Sequence, residues 1–136
     1  MASDWVRGDQ GYRVVVLDSS AALMPFEFSI DLEGELKRLL GAILIIVPIS
    51  VETELRLLVQ QSSGEKKGKV QAALKLIERF EKAGVEALSA DDAVLMCALK
   101  RKGVAVTNDT KLRQRLHAVG VPVVFLRGKQ QLALEE

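Results

Sequence analysis

The sequence predicts an α/β fold of three layers, with helices covering both faces of a central, mainly parallel sheet. Three observations support this prediction. Short runs rich in valine and isoleucine alternate along the chain with segments whose leucines recur at helical spacing. These runs lack the polar alternation of a half-exposed strand, as expected for parallel strands buried on both faces. The length of 136 residues, with 49% hydrophobic and 4% aromatic residues, predicts a single core of aliphatic side chains.

Composition also bounds the domain organisation and the compartment. We expect a polar N-terminal tail at residues 1–12, one domain at residues 13–128 and a C-terminal tail at residues 129–136. The chain lacks a run of roughly 20 apolar residues, as a membrane helix needs, and its start lacks the apolar core of a signal peptide. The single cysteine, Cys97, allows no intramolecular disulfide, so we expect a cytoplasmic protein. Because no apolar run is long enough to span a membrane, we expect no membrane partner. The formal charge of +1 neither supports nor excludes a nucleic-acid partner.

The first part of the chain is predicted to form two strands around a helix. Residues 13–17 and 42–47 are apolar runs and are predicted as strands. A short turn or helix follows the first strand and leads to a loop at residues 25–28. Asp31 is placed to cap the helix between the strands, whose apolar face is formed by Leu32, Leu36, Leu39 and Leu40.

The middle of the chain predicts two helices and a weak third strand. Ser50 is placed to cap a helix that continues to about residue 60. Residues 62–69 contain three lysines and predict a flexible loop or an exposed helix entry. The helix that follows is expected to end at Gly84, and residues 85–88 form the third strand.

The last part of the chain alternates helices and strands again. Ser89 is predicted to open a helix that runs through residue 102, with Gly103 closing it. Residues 104–106 form a buried strand, and the next helix is capped by Asn108 or Asp109. Residues 121–126 form the last strand, which Pro122 predicts to lie at an edge, and the remaining tail adds a short helix.

Four acidic residues lie beyond different predicted strands, namely Asp18, Glu54, Asp92 and Asp109. Parallel strands bring their carboxyl ends to one edge of the sheet, where sites form in open α/β folds. Carboxylates in one crevice repel each other unless a cation neutralises them. All-oxygen ligands with no nearby histidine or cysteine favour Mg²⁺ or Mn²⁺ over zinc. Each acid alone also has an ordinary interpretation as a helix cap or a surface group.

The sequence lacks the residues that other mechanisms of phosphoryl chemistry need. His117 is the only histidine, which excludes a metal-free ribonuclease with a histidine pair. No strand is followed by a glycine-rich phosphate loop of the Walker kind. A phosphotransfer enzyme with Asp18 as covalent nucleophile expects an aspartate two positions on, where Ser20 stands. The leading hypothesis is metal-dependent phosphodiester chemistry, which Mg²⁺ or Mn²⁺ on carboxylates commonly serves.

The ordered acidic motifs resemble those of the PIN domain family. The motifs are VVVLDSSA at 14–21, VPISVETEL at 47–55, ADDA at 90–93 and VTND at 106–109. The resemblance extends from about residue 13 to residue 126. It implies that the predicted domain is a PIN-like nuclease domain with an α/β/α fold. It also implies a Mg²⁺- or Mn²⁺-dependent endoribonuclease that hydrolyses RNA with an activated water and leaves 5′-phosphate ends.

The resemblance also assigns roles to residues. It implies that Asp18, Glu54, Asp92 and Asp109 are the catalytic acids that hold the metal, with Ser20, Asp91, Thr107 and Asn108 as supporting residues. Asp92 matches the family's acid better than Asp91, because the small apolar Ala93 follows it. For the RNA backbone we favour Lys111 and Arg113, which lie within about a turn of Asp109.

Several functions and partners stay open within this resemblance. Residues 25–28 and 120–128 look most like archaeal PIN proteins similar to ribosomal RNA processing nucleases, with a VapC-type toxin of a toxin–antitoxin pair as the alternative. A non-catalytic RNA-binding assembly factor is a third hypothesis. RNA is the expected partner in each case. An antitoxin or a ribosome-assembly protein is a further expected partner, as is a homodimer to which Met24 and Phe28 contribute.

Overall fold

The strands form one sheet in the computed structural model, which describes residues 11–87 and 89–136. Its order is β3-β2-β1-β4-β5-β6, in which the first five strands are parallel and β6 is antiparallel to β5. The strands are β1 (Arg13–Leu17), β2 (Ile43–Pro48), β3 (Glu81–Ala83), β4 (Val104–Val106), β5 (Val123–Arg127) and β6 (Gln131–Glu135). The predicted mainly parallel sheet is confirmed.

Six helices of the described residues complete the α/β/α layers. They are α1 (Ser19–Glu27), α2 (Leu32–Leu40), α3 (Ile49–Gln61), α4 (Gly64–Ile77), α5 (Ala90–Arg101) and α6 (Thr110–Ala118). Helix α4 packs against both α1 and α3, and α5 packs against α3 and the central strands. Over the two described ranges, every helix is too short or too polar to cross a bilayer. Most of the predicted N-terminal tail, residues 1–10, lies outside the described residues.

The central position of β1 explains why the apolar run that forms it has no alternating polar residues. Val15, Val16 and Leu17 are fully buried, because β2 and β4 flank the strand and helices cover both faces. Each such side chain contributes about 1.5–3 kcal/mol on burial. The strand therefore fixes the position of whatever residue follows Leu17.

Three of the expected helix caps form and one does not. Asp31 accepts a hydrogen bond from the Gly34 N–H at 3.1 Å, and Ser89 accepts one from the Asp92 N–H at 3.1 Å. Asp109 caps α6 in the same way. Helix α3, however, begins at Ile49 rather than after Ser50, and no side chain caps it. Strand β2 leads directly into this helix through Pro48, whose fixed φ suits a helix start.

The structure contradicts one loop prediction in the first half of the chain and decides between the two alternatives for another segment. Pro25 lies inside α1 rather than in a loop, because its missing N–H costs only one hydrogen bond near the helix end. Burial of the preceding residues outweighs that loss, and Met24 is fully buried, so it cannot contribute to a dimer surface. Residues 64–69 are the first turns of α4, so the helix-entry alternative for this lysine-rich stretch is confirmed.

Strand β3 lies earlier than predicted. Helix α4 ends at Ile77, where the Phe80 N–H donates to the Ile77 carbonyl in a tight turn. The chain then pairs Lys82 with Val47 of β2, so Gly84 follows a strand instead of ending a helix. The helical spacing of apolar residues continues past the end of α4, so the sequence pattern does not mark that end. Pairing with β2 decides where β3 begins.

Gly103 is required for a reason other than the expected helix end. The left-handed residue after α5 is Lys102, with φ of 51°. A Cβ on Gly103 would lie 2.9 Å from the Val14 carbonyl oxygen, which is closer than such atoms approach. Gly103 therefore allows the chain to enter β4 directly beside β1.

The C-terminal segment forms β6 instead of the expected short helix. Leu132 is buried and pairs with Leu126, so β5 has a neighbour on each side and Pro122 does not mark an edge strand. Side chains of α2 bind the outer edge of β6. Glu35 accepts a hydrogen bond from the Leu132 N–H at 3.0 Å, and Arg38 donates to the Leu132 carbonyl at 3.1 Å.

We predict that Glu35→Ala loosens β6. Arg38 and the Leu132 N–H lower the pKa of Glu35 from 4.5 to about 2, so its stabilising contribution is present above pH 4.5 and is lost as the pH falls through about 2. At neutral pH the variant should show faster amide hydrogen exchange in residues 131–135. Glu65→Ala, which removes an exposed pair with Lys69, is the matched control. Equal exchange in both variants would contradict the role of Glu35.

Candidate active site

Asp18 lies at the carboxyl end of β1 and caps α1. Its Oδ1 accepts hydrogen bonds from the Ala21 N–H at 2.8 Å and the Ser20 hydroxyl at 2.7 Å. The Thr107 hydroxyl donates to Oδ2. Only 4% of Asp18 is exposed. Asp18 therefore caps a helix and also lies at the sheet edge where the site is predicted.

The end of β4 holds Asp18 from the other side. Thr107 is fully buried, and its hydroxyl oxygen also accepts the Asp109 N–H at 2.9 Å. The Ser20 hydroxyl oxygen accepts the Asn108 N–H at 2.9 Å. The Asn108 side chain accepts the Leu126 N–H at 3.0 Å and so ties this loop to β5. Of the predicted supporting residues, Ser20 and Thr107 contact Asp18, whereas the Asn108 side chain points to a structural contact.

Burial dominates the electrostatics of Asp18. It raises the pKa of Asp18 from 3.8 to about 6, against the opposing effect of hydrogen bonds from Thr107, Ala21 and Ser20. The charge of Asp91 raises this pKa further. A buried carboxyl with a strongly shifted pKa beside another acid is typical of functional sites.

Glu54 reaches the same region from α3. It is exposed, and its Oε1 accepts a hydrogen bond from the Ser19 hydroxyl at 2.5 Å. This bond joins the start of α1 to α3. The sequence analysis did not single out Ser19. The available signal was its place between Asp18 and Ser20, at the first position of a helix that leaves the sheet edge.

The structure groups Asp91, and not Asp92, with the other acids. Burial raises the pKa of Asp91, and the charges of Asp109 and Glu54 raise it further. Asp91 has the same effect on Asp18. Asp91 therefore lies within electrostatic reach of Asp18, Glu54 and Asp109. We name Asp18, Glu54, Asp91 and Asp109 the acid cluster.

Asp92 forms an ion pair instead. Successive helix residues point about 100° apart, so Asp91 and Asp92 face different surroundings. Asp92 Oδ1 accepts a hydrogen bond from Arg115 Nη2 at 2.6 Å, and this contact lowers the pKa of Asp92. The presence of Ala93, which favours Asp92 in the sequence motif, carries no information about helix rotation.

Asp109 contributes to the cluster from the start of α6. Its Oδ1 accepts hydrogen bonds from the N–H groups of Lys111 at 2.9 Å and Leu112 at 3.1 Å. The carboxylate is exposed. As the helix cap it is held at the sheet edge, directly after Thr107 and Asn108.

The two predicted RNA contacts on α6 have different surroundings. Arg113 forms hydrogen bonds of 3.2 and 3.1 Å with Glu135, and its guanidinium carbon lies 3.6 Å from the Phe125 ring centroid. Arg113 thus ties α6 to β5 and β6. Lys111 is exposed and makes no ion pair with a residue that the structure describes. The structure leaves Lys111 open to a phosphate and engages Arg113 elsewhere.

The donor set of the acid cluster fits a divalent cation. In residues 11–87 and 89–136, no three acidic, histidine or cysteine side chains converge closely enough to enclose a metal ion. Mg²⁺, however, usually keeps several waters and binds through one or two carboxylates. Asp91 accepts no hydrogen bond from the described residues, and Glu54 and Asp109 each keep one oxygen without such a partner. A cation also relieves the repulsion among the carboxylates.

We predict that Asp18→Asn stabilises the metal-free protein at alkaline pH. Because the folded pKa of Asp18 is raised, its contribution to stability is present below pH 3.8 and is lost as the pH rises through about 6. Between about pH 4 and pH 8 the native protein should lose about 2 kcal/mol more than the variant. Urea unfolding in EDTA measures this difference. Asp31→Asn, at an exposed helix cap, is the control. Parallel pH profiles for the native protein and Asp18→Asn would contradict the burial argument.

The sequence is similar to a protein-family model and to known proteins. A family model described as a PIN like domain matches residues 15–129. The chain is 28% identical over 123 residues to Ribonuclease VapC9 of Archaeoglobus fulgidus, covering 90% of each protein. It is 31% identical over 120 residues to Ribonuclease VapC4 of Methanocaldococcus jannaschii, covering 85% of this chain and 92% of the relative.

Solved structures share the fold. The PIN domain endonuclease Utp24 has a TM-score of 0.74 and 23% identity, with 91% of each chain covered. A domain of a functionally unknown protein from Methanocaldococcus jannaschii has a TM-score of 0.61 and 20% identity, with 91% of this chain and 95% of that one covered. VapBC2 from Rickettsia felis, bound to a DNA fragment from their promoter, has a TM-score of 0.56 and 18% identity, with 74% and 92% covered. The family match and the shared fold confirm the resemblance found in the sequence, and this chain belongs to the PIN domain family.

Proposed function

We propose that this protein is a Mg²⁺- or Mn²⁺-dependent endoribonuclease that hydrolyses RNA phosphodiester bonds at the acid cluster. The observation that supports the proposal is the placement of Asp18, held by Thr107 and Ser20 at the carboxyl edge of the sheet, within electrostatic reach of Asp91, whose pKa the charges of Asp109 and Glu54 also raise. The two sequence relatives named ribonucleases support RNA as the substrate.

Each carboxylate has a defined task in this proposal. Asp18 is held rigidly by Thr107 and Ser20 and lies at the buried bottom of the site. The Ser19 hydroxyl orients Glu54, and Glu54 and Asp91 face the reacting phosphate and water from the neighbouring helices α3 and α5. Asp109 completes the set at the start of α6. These carboxylates orient the attacking water and accept its proton.

A divalent cation would be held by this acid cluster, with Asp91 replacing Asp92 in the predicted ligand set. When bound, Mg²⁺ or Mn²⁺ supplies the positive charge that polarises the phosphate and the water. The cation also lets an anionic RNA approach four carboxylates that otherwise repel it. Lys111, two residues after Asp109, supplies a further positive charge for the RNA backbone.

Two alternative functions fit the site less well. A covalent phosphotransfer enzyme needs an accessible nucleophile, but Asp18 is 4% exposed and both of its oxygens accept hydrogen bonds. A non-catalytic assembly factor has no need for the buried carboxylate of Asp18 beside Asp91, because burial of an ionisable group costs stability. A homodimer stays a prediction, and Phe28, at 41% exposure, is the remaining residue proposed for it.

We predict that Asp91→Asn abolishes cleavage and that Asp92→Asn does not. Loss of Asp91 should lower kcat for a labelled RNA by at least about 100-fold, because a carboxylate that handles the reacting water is removed. The same variant should lose the increase in melting temperature that Mn²⁺ gives the native protein. Asp92→Asn should keep kcat within about tenfold and should keep the Mn²⁺ effect.

The two neighbouring substitutions control for each other. Both remove one negative charge from the first turn of α5, so a general effect on the helix appears in both variants. A larger loss of kcat from Asp92→Asn would return that residue to the catalytic set and remove Asp91. Absence of both cleavage and a Mn²⁺-dependent melting shift in the native protein would contradict the proposed metal site.

We further propose a toxin-type role over ribosomal RNA processing, because both sequence relatives are VapC ribonucleases, whereas the likeness to Utp24 shows the fold. Expression of the native protein in a bacterial host should then arrest growth, and Asp91→Asn at the same protein level should not. Normal growth of cells that contain active native enzyme would contradict the toxin role and favour a processing nuclease.

A further inference from the structure

A surface cavity of about 510 Å³ lies beside the acid cluster, where α5 faces α6. It is lined by Glu86, Ala87, Asp92, Leu95, Met96 and Arg115. Its volume is within the range of about 300–1,000 Å³ that small-molecule sites have. The charge of Arg115 also lowers the pKa of Asp91, so this lining residue lies near the acid cluster. The cavity and the proposed catalytic carboxylates therefore share one edge of the molecule.

Arg115 is placed and oriented for an anion. Its Nη2 donates to Asp92 at 2.6 Å, while its other guanidinium nitrogens make no hydrogen bond with the described residues. The side chain is 47% exposed. A guanidinium held by one carboxylate loses little freedom when it binds a second anion, and its planar donors match a phosphate.

The apolar part of the lining requires its own explanation. Met96 is 45% exposed although it is a large apolar residue, and Leu95 beside it is half-buried. Together with Ala87 they form an apolar surface next to a guanidinium and a carboxylate. A nucleotide has this combination of groups, because its base offers a flat apolar face and its phosphate a negative charge. Glu86 adds an acceptor that suits a base amino group.

We propose that this cavity binds one nucleotide of a single-stranded RNA next to the cleaved bond. Arg115 binds the phosphate, and Leu95 and Met96 pack against the base. Asp92 is a positioning residue, since it holds Arg115. The inference rests on the proposed ribonuclease function and adds the place where the substrate is held. A base that enters the cavity must leave its stack, which favours unpaired RNA.

The first test measures binding of a fluorescent single-stranded RNA to the full-length Asp18→Asn protein in Mg²⁺ at several salt concentrations. Adding Arg115→Gln should weaken binding about tenfold and reduce the salt slope by about 0.7, the value for one phosphate contact on a single strand. Arg115→Lys should recover part of the affinity. Arg79→Gln, which removes an exposed arginine paired with Glu33 beside the amino end of β3, should change neither quantity.

The outcomes separate this inference from the proposed function. If Arg115→Gln binds RNA as tightly as Arg79→Gln, the subsite is wrong, whereas the ribonuclease proposal stands. If the Asp18→Asn protein binds no RNA, the subsite is also overturned. The ribonuclease proposal is then tested separately, by metal-dependent cleavage with the native protein. Melting curves of each variant confirm that the fold is retained.

A second test reads the base contact directly. The methyl resonance of Met96, assigned with Met96→Leu, should shift upfield when RNA is added to protein labelled with ¹³C on its methionine methyl groups. Met24 is fully buried and is the internal reference. A shift at Met96 that is no larger than the shift at Met24 would overturn the base contact, even if Arg115→Gln weakens binding.

Discussion

The burial of one carboxylate at the end of the central strand constrains the rest of the structure. Asp18 follows a strand that neighbouring strands and helices enclose, and only 4% of it is exposed. An ionised group in that position needs hydrogen bonds, and it obtains them from the Ala21 N–H, Ser20 and Thr107. These bonds join β1, α1 and the end of β4. These contacts offset only part of the cost of burying Asp18, and they also align the surrounding elements.

The acid cluster is built by placing each further carboxylate at the start of, or one turn into, a different helix. Asp109 caps α6, Asp91 lies in the first turn of α5, and Glu54 lies about a turn into α3. Helix starts favour negative charge through the helix dipole, which reduces the cost of bringing these groups together. Local helix stability and the candidate site consequently use the same residues.

Neighbouring residues on a helix separate structural from functional roles in this protein. Asp91 joins the acid cluster while Asp92 binds Arg115. On α6, Arg113 binds Glu135 and Phe125, two residues before Arg115 turns to the cavity. In each case the helix rotation of about 100° per residue directs similar side chains to different surroundings. Charged residues that are close in the sequence therefore do not all face the same partner.

The sequence by itself determined the order of the elements as far as β5, the parallel sheet, the caps at Asp31 and Ser89, and the positions of Asp18, Glu54 and Asp109 beyond their strands. These features follow from local apolar patterns and from the rule that parallel strands share one carboxyl edge. Only the tertiary structure decided the ion pair of Asp92 with Arg115, the end of α4, and the strand at residues 131–135. Those choices depend on helix rotation, on pairing with β2 and β5, and on the contacts of Glu35 and Arg38 with Leu132, which are long-range interactions that a local pattern does not contain.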